Sequence, residues 1–152
     1  MYKRILVPLE HSSYDAAILE HVTRLSRVCG AALILIHVAD GWAARYFEDL
    51  HLRESEEMVS DREYLHRMAA ELEAAGLQVD AVLATGDPAR EIVAAAERER
   101  CDLIAMATHG HKFFSDLIYG SVAESVRHRS MVPVLLVRGN PGSESEASGG
   151  AA

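Results

Sequence analysis

Apolar positions in this chain fall into short unbroken runs, separated by stretches in which they recur every third or fourth residue. The first run, Arg4-Ile5-Leu6-Val7-Pro8, is stopped by proline and predicts a buried strand. Ser12 and Ser13 stand where a helix cap belongs, with Asp15 completing an approximate capping box. Ile18, Val22, Leu25 and Cys29 then mark one face of a helix, closed by Gly30. Ala31 to Val38 is a second strand-like run. Ala39 to Leu50 has no period; it reads as a connection whose Trp42, Tyr46 and Phe47 pack over the next helix. That helix is expected from about Leu52 to Ala75, with Met58, Leu65, Met68 and Leu72 on its buried side. Glu54, Glu56, Glu57, Asp61, Arg62, Glu63 and Arg67 occupy the other faces and read as a solvated surface.

After Gly76, the alternation of Val79, Ala81 and Leu83 with polar neighbours predicts a strand from Leu77 to Ala84, nearer an edge. Asp87-Pro88 is an N-cap followed by proline at the first helical position, with Ile92, Val93 and Ala96 facing inward. Asp102 to Thr108 is a fourth strand, broken by His109-Gly110. Gly120-Ser121 opens a helix that continues through Val122 and Val126, and Pro133 to Val137 is the fifth strand. From Gly139 onward only small and polar residues remain, which reads as a disordered tail after a domain spanning residues 1–138.

Strands alternating with helices, each strand a near-continuous apolar run, predict an α/β fold: an open parallel sheet covered on both faces. Composition changes this picture little. Apolar residues make up 49% and charged residues 25% of the 152, as in an ordinary globular domain. The net charge of −8 argues against nucleic acid or an anionic membrane as a general partner. The longest apolar run, Ala31 to Ile36, is far short of the roughly 18 residues of a membrane span. Met1-Tyr2-Lys3-Arg4 leads straight into a strand without a signal peptide's apolar core, so a cytoplasmic protein is expected. Cys29 and Cys101 form no CxxC pair and read as buried thiols in a reducing compartment.

In such a sheet, ligands bind at the carboxyl ends of the strands, where strand order reverses. The loops at that edge carry Pro8-Leu9-Glu10-His11-Ser12, Val38-Ala39-Asp40, Thr85-Gly86-Asp87 and Met106-Ala107-Thr108-His109-Gly110. Gly110 and Gly120-Ser121 are what a phosphate site needs, since glycine admits the anion close to the backbone and a helix start directs N–H groups at it.

In this order and spacing the chain from Met1 to about Arg138 resembles the universal stress protein family. The resemblance is carried by Ile5-Leu6-Val7-Pro8, Gly86-Asp87-Pro88-Ala89, Cys101-Asp102-Leu103-Ile104, Thr108-His109-Gly110, Gly120-Ser121-Val122-Ala123-Glu124 and Val132-Pro133-Val134-Leu135-Leu136-Val137. It implies a five-stranded parallel sheet ordered 3-2-1-4-5 and a homodimer paired through the last strand. Many members bind ATP through Gly, two residues, Gly, nine residues, then Gly with Ser or Thr; the matching positions here are Ala107, Gly110, Gly120 and Ser121. The resemblance implies Gly110, Gly120 and Ser121 at the phosphates, Val38 at the adenine through its backbone, and Pro8 and Glu10 along the pocket. Leu9, Met106, His109 and Val122 complete the expected nucleotide site. The implied cofactor is ATP, with or without Mg²⁺.

This chain departs from the pattern at Ala107 in place of glycine, Glu10 in place of aspartate, and His11 in place of glycine. Phe113 also stands where members often have a small residue. No GxxxxGK[ST] P-loop is present, so at most slow hydrolysis is expected, and no catalytic residue is assigned. Lys112 reads as a solvated loop lysine. His109 and His111 alternate beside Glu10 and His11, but alternating residues on an extended segment point to opposite sides, and no metal site is assigned. His37 reads as a half-buried, hydrogen-bonded residue. The resulting expectation is a stress-response or signalling domain that works by nucleotide-dependent binding. The alternatives are a nucleotide-free dimeric scaffold and a slow nucleotide hydrolase.

Overall fold

The computed structural model describes residues 1–40, 56–108 and 116–139. The strands are β1 (Arg4–Pro8), β2 (Ala32–Asp40), β3 (Val79–Gly86), β4 (Leu103–Thr108) and β5 (Val134–Arg138). The helices are α1 (Asp15–Cys29), α2 (Glu56–Ala74), α3 (Pro88–Arg98) and α4 (Asp116–Arg129). The strands form one sheet in the order β3-β2-β1-β4-β5, the order that the resemblance implies. Every pairing is parallel, with Leu6 opposite Ile34 on one side of β1 and Ile104 on the other.

Because side chains alternate across a strand, each central strand feeds two cores. Ile5, Val7, Leu33 and Leu35 pack with Ile18 and Val22 of α1 and Leu65 and Ala69 of α2. Leu6, Ile34, Ile36 and Ile104 pack on the opposite face with Ile92, Ala95 and Ala96 of α3 and Ala123 and Val126 of α4. Ile5, Leu6, Val7, Ile18 and Val22 are fully buried, and burying side chains of this size stabilises the fold by about 1.5–3 kcal/mol each. Gly30 ends α1 with φ 68°, a left-handed conformation that costs glycine least. At the other end of the sheet, Asp87 caps α3 by accepting from the Arg90 N–H at 2.9 Å, with Pro88 at the start of the helix.

Several boundaries differ from the sequence expectation. Helix α1 starts at Asp15, and its cap residue, Tyr14, makes no side-chain cap bond. Ser12 instead serves the preceding turn, its Oγ accepting from the Tyr14 N–H at 3.3 Å and its carbonyl from the Asp15 N–H at 3.1 Å. Strand β3 runs two residues later than expected at each end, to Gly86, because its hydrogen bonding follows β2 as far as Asp40. Helix α4 starts at Asp116, so Gly120 and Ser121 lie inside the helix and do not open it. Residues 116–119 contain no helix breaker, and the helix runs through Gly120 at a cost of about 1 kcal/mol relative to alanine. Asp61, expected on a solvated face, is 6% exposed. Of the two thiols, Cys101 is buried and Cys29 only partly so. The segment with Trp42, Tyr46 and Phe47 and the tail from residue 140 lie outside the described residues.

Candidate functional site

The chain runs outward from β1 through β2 to β3, then returns to place β4 on the other side of β1. Connections therefore diverge above β1 and β4, and a crevice opens at their carboxyl ends. It holds a cavity of about 600 Å³, within the usual size range of small-molecule sites.

Pro8, Leu9 and Glu10 form one wall, Ile36, His37 and Val38 a second, and Met106 and Ala107 a third. Ser121 and Val122 approach from α4, Asp87, Pro88 and Ile92 from the start of α3, and Glu57 from the first turn of α2. Of the residues expected at a nucleotide, Pro8, Leu9, Glu10, Val38, Met106, Ala107, Ser121 and Val122 thus share one cavity. Gly120 adjoins Ser121 on an exposed part of α4 but is not in the lining, and a Cβ there would meet no atom within 4 Å. His109 and Gly110, with His111, Lys112 and Phe113, lie outside the described residues.

Sequence reasoning missed Ile36, His37, Glu57, Pro88 and Ile92 at this site, and placed Asp87 at the ligand edge without assigning it to the site. Ile36 and His37 were accessible to it, because they directly precede Val38 at the same strand end. Glu57 had no local signal, since only the packing of α2 brings its first turn to the cavity rim.

The β1–α1 loop is held by two buried carboxylates. Asp15 accepts from the N–H groups of Glu10, His11 and Ser12 at 2.9, 2.8 and 3.2 Å. It also accepts from the Tyr64 hydroxyl of α2 at 2.7 Å. Burial, reinforced by the Asp15 bond, raises the Tyr64 hydroxyl well above its ordinary pKa. Asp61 lies one helical turn before Tyr64. Its Oδ1 is 2.7 Å from His11 Nδ1 and its Oδ2 is 3.2 Å from His37 Nε2. The other His37 nitrogen, Nδ1, is 2.8 Å from the Leu9 carbonyl. The Leu9 N–H donates to Ile36 O at 2.8 Å, extending the β1–β2 pairing to the edge of the cavity.

The structure accommodates two departures from the pattern that the resemblance implies. His11 has φ 62°, a conformation natural to glycine and costing another residue roughly 1–2 kcal/mol. Its ring is stacked on Tyr64 with centroids 4.1 Å apart and bonded to Asp61, which offsets that cost. Ala107 lies within β4 and is not among the positive-φ residues, so its Cβ introduces no backbone strain. Electrostatically the described lining is acidic: Glu10, Glu57 and Asp87 surround it, with His37 but no Lys or Arg among the described lining residues.

Known proteins share this architecture. A model of the universal stress protein family matches residues 1–138. Universal stress protein MJ0577 of Methanocaldococcus jannaschii is 31% identical, over 91% of this chain and 96% of its own length. Its solved structure superposes with a TM-score of 0.77, covering 92% of this chain and 98% of that one. Two structures below 25% identity share the fold. One, a universal stress protein in complex with cAMP, has a TM-score of 0.67 at 20% identity and covers 91% of this chain and 98% of that one. The other, from Archaeoglobus fulgidus in complex with dAMP, has a TM-score of 0.66 at 19% identity and covers 89% and 97%. A family match spanning all five strands, together with a full-length relative of the same topology, means that this chain belongs to the universal stress protein family.

Proposed function

We propose that this protein binds an adenine nucleotide, ATP in the first instance, in the cavity above β1 and β4, and acts in stress adaptation or signalling through that binding. The observation that carries the reading is the convergence of Pro8–Glu10, Val38, Met106–Ala107 and Ser121–Val122 on one cavity of about 600 Å³ at the switch point of the sheet. Relatives of the same fold are known in complex with cAMP and with dAMP. The Val38 backbone faces the base, while Gly120 and Ser121, with Gly110, take the phosphates. Because α4 starts before Gly120, the value of this glycine lies in its missing side chain, which lets a phosphate approach the helix flank.

The acidic lining sets a condition on the ligand. Glu10, Glu57 and Asp87 repel a polyphosphate, so ATP enters with Mg²⁺, and Glu10 meets either the metal or the ribose hydroxyls. The protein works by occupancy and at most slow turnover, since no Lys or Arg among the described lining residues is placed to stabilise a transferring phosphoryl group. The reading includes a cytoplasmic homodimer paired through β5. Within the described chain this strand pairs only with β4, and Leu136 is 43% exposed. Among the described residues no helix is long and apolar enough to cross a membrane.

Calorimetric titration of nucleotide-stripped protein with ATP, with and without Mg²⁺, tests the binding. One site per chain, tighter with Mg²⁺ and lost in Gly120→Glu, is the expected result. Absence of heat together with an unchanged melting temperature would favour the nucleotide-free scaffold. Light scattering of Leu136→Lys, expected to shift the protein toward monomer, tests the dimer.

A further inference from the structure

Asp61 holds two imidazoles beside the cavity, a latch on its wall. Both ring nitrogens of His37 face oxygen. Nδ1 is 2.8 Å from the Leu9 carbonyl, which can only accept, and Nε2 is 3.2 Å from Asp61 Oδ2. An imidazole between two acceptors bonds to both only when each nitrogen carries a proton. With both protons in place, Nδ1–H donates to the Leu9 carbonyl and Nε2–H lies within ion-pair distance of the carboxylate. His11 needs no such extra proton. Its neutral tautomer, protonated at Nδ1, donates to Asp61 Oδ1 at 2.7 Å. If the second His37 proton passes to solvent, a nitrogen lone pair faces a carboxylate lone pair in a setting where the two side chains are only 13% and 9% exposed.

The loop tied down by this latch is a cavity wall. His37 holds the Leu9 carbonyl, His11 is adjacent to Glu10, and Leu9, Glu10 and His37 all line the cavity. We propose that Asp61, acting through His37 and His11, is the positioning residue for the Leu9–Glu10 wall, and that ligand affinity is thereby coupled to the proton between His37 and Asp61. This rests on the nucleotide reading of the cavity.

Several carboxylates surround this arrangement. Facing the latch or the adjoining cavity are Glu10 from the β1–α1 loop, Asp15 from α1, Glu57 from α2 and Asp87 from the start of α3. Tyr64 of α2 is bonded to Asp15. Arg67 of α2 lies over the Tyr64 ring, 5.6 Å from its centroid. An anionic ligand adds further attraction for an imidazolium in the wall. The wall is thus ordered, and binding tight, when the proton is present; both weaken as pH rises and it is lost.

Calorimetry of the full chain with Mg·ATP between pH 6 and 8, in buffers of different ionisation enthalpy, reads the coupling. Affinity should be at least about fivefold higher at pH 6, with net proton uptake on binding at the higher pH. Asp61→Asn, which preserves shape but can no longer accept from both imidazoles, should remove both effects, and His11→Asn should weaken binding while retaining the uptake. Independently of nucleotide, NMR of the ligand-free protein should show the Leu9 and Glu10 amides moving with the His37 ring titration in the unmodified protein but not in Asp61→Asn. Equal affinity at both pH values, or loop amides indifferent to His37, would overturn the proposal. If no nucleotide binds at any pH, the nucleotide reading and its coupling to ligand fall together, and the amide measurement alone decides whether Asp61 positions the wall.

Discussion

The Tyr64 hydroxyl of α2 donates to the Asp15 carboxylate at the start of α1 across 2.7 Å, joining two helices that the sheet alone would leave independent at that edge. The same carboxylate accepts from the backbone of Glu10, His11 and Ser12, so a single acid holds both the loop and the helix beside it.

The two ends of this contact differ in importance. Tyr64→Phe removes one of several donors and should cost about 1 kcal/mol. Asp15→Ala strips an acceptor from three backbone N–H groups and should cost about 3 kcal/mol. Chemical denaturation would order the two variants. Since burial and Asp15 raise the Tyr64 hydroxyl above its ordinary 10.0, its contribution should be complete below pH 10.0 and be lost only as pH rises beyond it.

Gly120→Ala separates stability from binding. A Cβ there meets no atom within 4 Å, and alanine is the better helix former by about 1 kcal/mol. The variant should melt about 3 °C higher and yet bind ATP more weakly, as thermal melting and titration would show. Unchanged affinity would remove Gly120 from the phosphate contact.

Cys101 should be chemically quiet. Burial pushes its thiol from the ordinary 9.0 up to about 11, opposed in part by Arg4. Alkylation at pH 8 should be slow in the folded protein and fast in denaturant. Because the folded value lies above the unfolded one, the stabilisation is complete below pH 9.0 and is lost as pH rises toward about 11. An alkaline denaturation series of the protein and Cys101→Ala would show the pH-dependent part of their difference confined to that window.

Gly139 ends β5 against Tyr14, and its N–H donates to Thr108 O at 2.9 Å. An added Cβ would lie 2.8 Å from Tyr14 Cδ1 and 3.4 Å from Tyr14 O, too close without a shift. Gly139→Ala should cost about 1–2 kcal/mol, measurable as a lower denaturation midpoint.

Much of the architecture was legible in local pattern. Ile5 to Val7 and Leu33 to Ile36 are buried on both faces of a parallel sheet, and a continuous apolar run is the direct signature of that environment. Asp87-Pro88 announced its helix because capping is a contact between residues close in sequence. Ser12 and Asp15 make the reciprocal bonds of the capping pattern, yet local pattern told only part of their role. The capping pattern was present, but the Asp15 carboxylate is turned to the preceding loop and to Tyr64, a residue distant along the chain.

Local pattern set the alternation of strand and helix, because periodicity and turn chemistry are properties of neighbours, and the family resemblance pointed to the cavity residues Pro8, Glu10, Val38, Ala107 and Ser121. That Asp61 leaves the charged face of α2 to hold His11 and His37, and that Glu57 reaches the cavity, follows from how the whole chain packs. A charged residue on an amphipathic helix belongs to solvent by default. What overrides that default is a pair of imidazoles presented by β2 and the β1–α1 loop, and their arrival at the same point depends on the strand order and not on spacing along the chain.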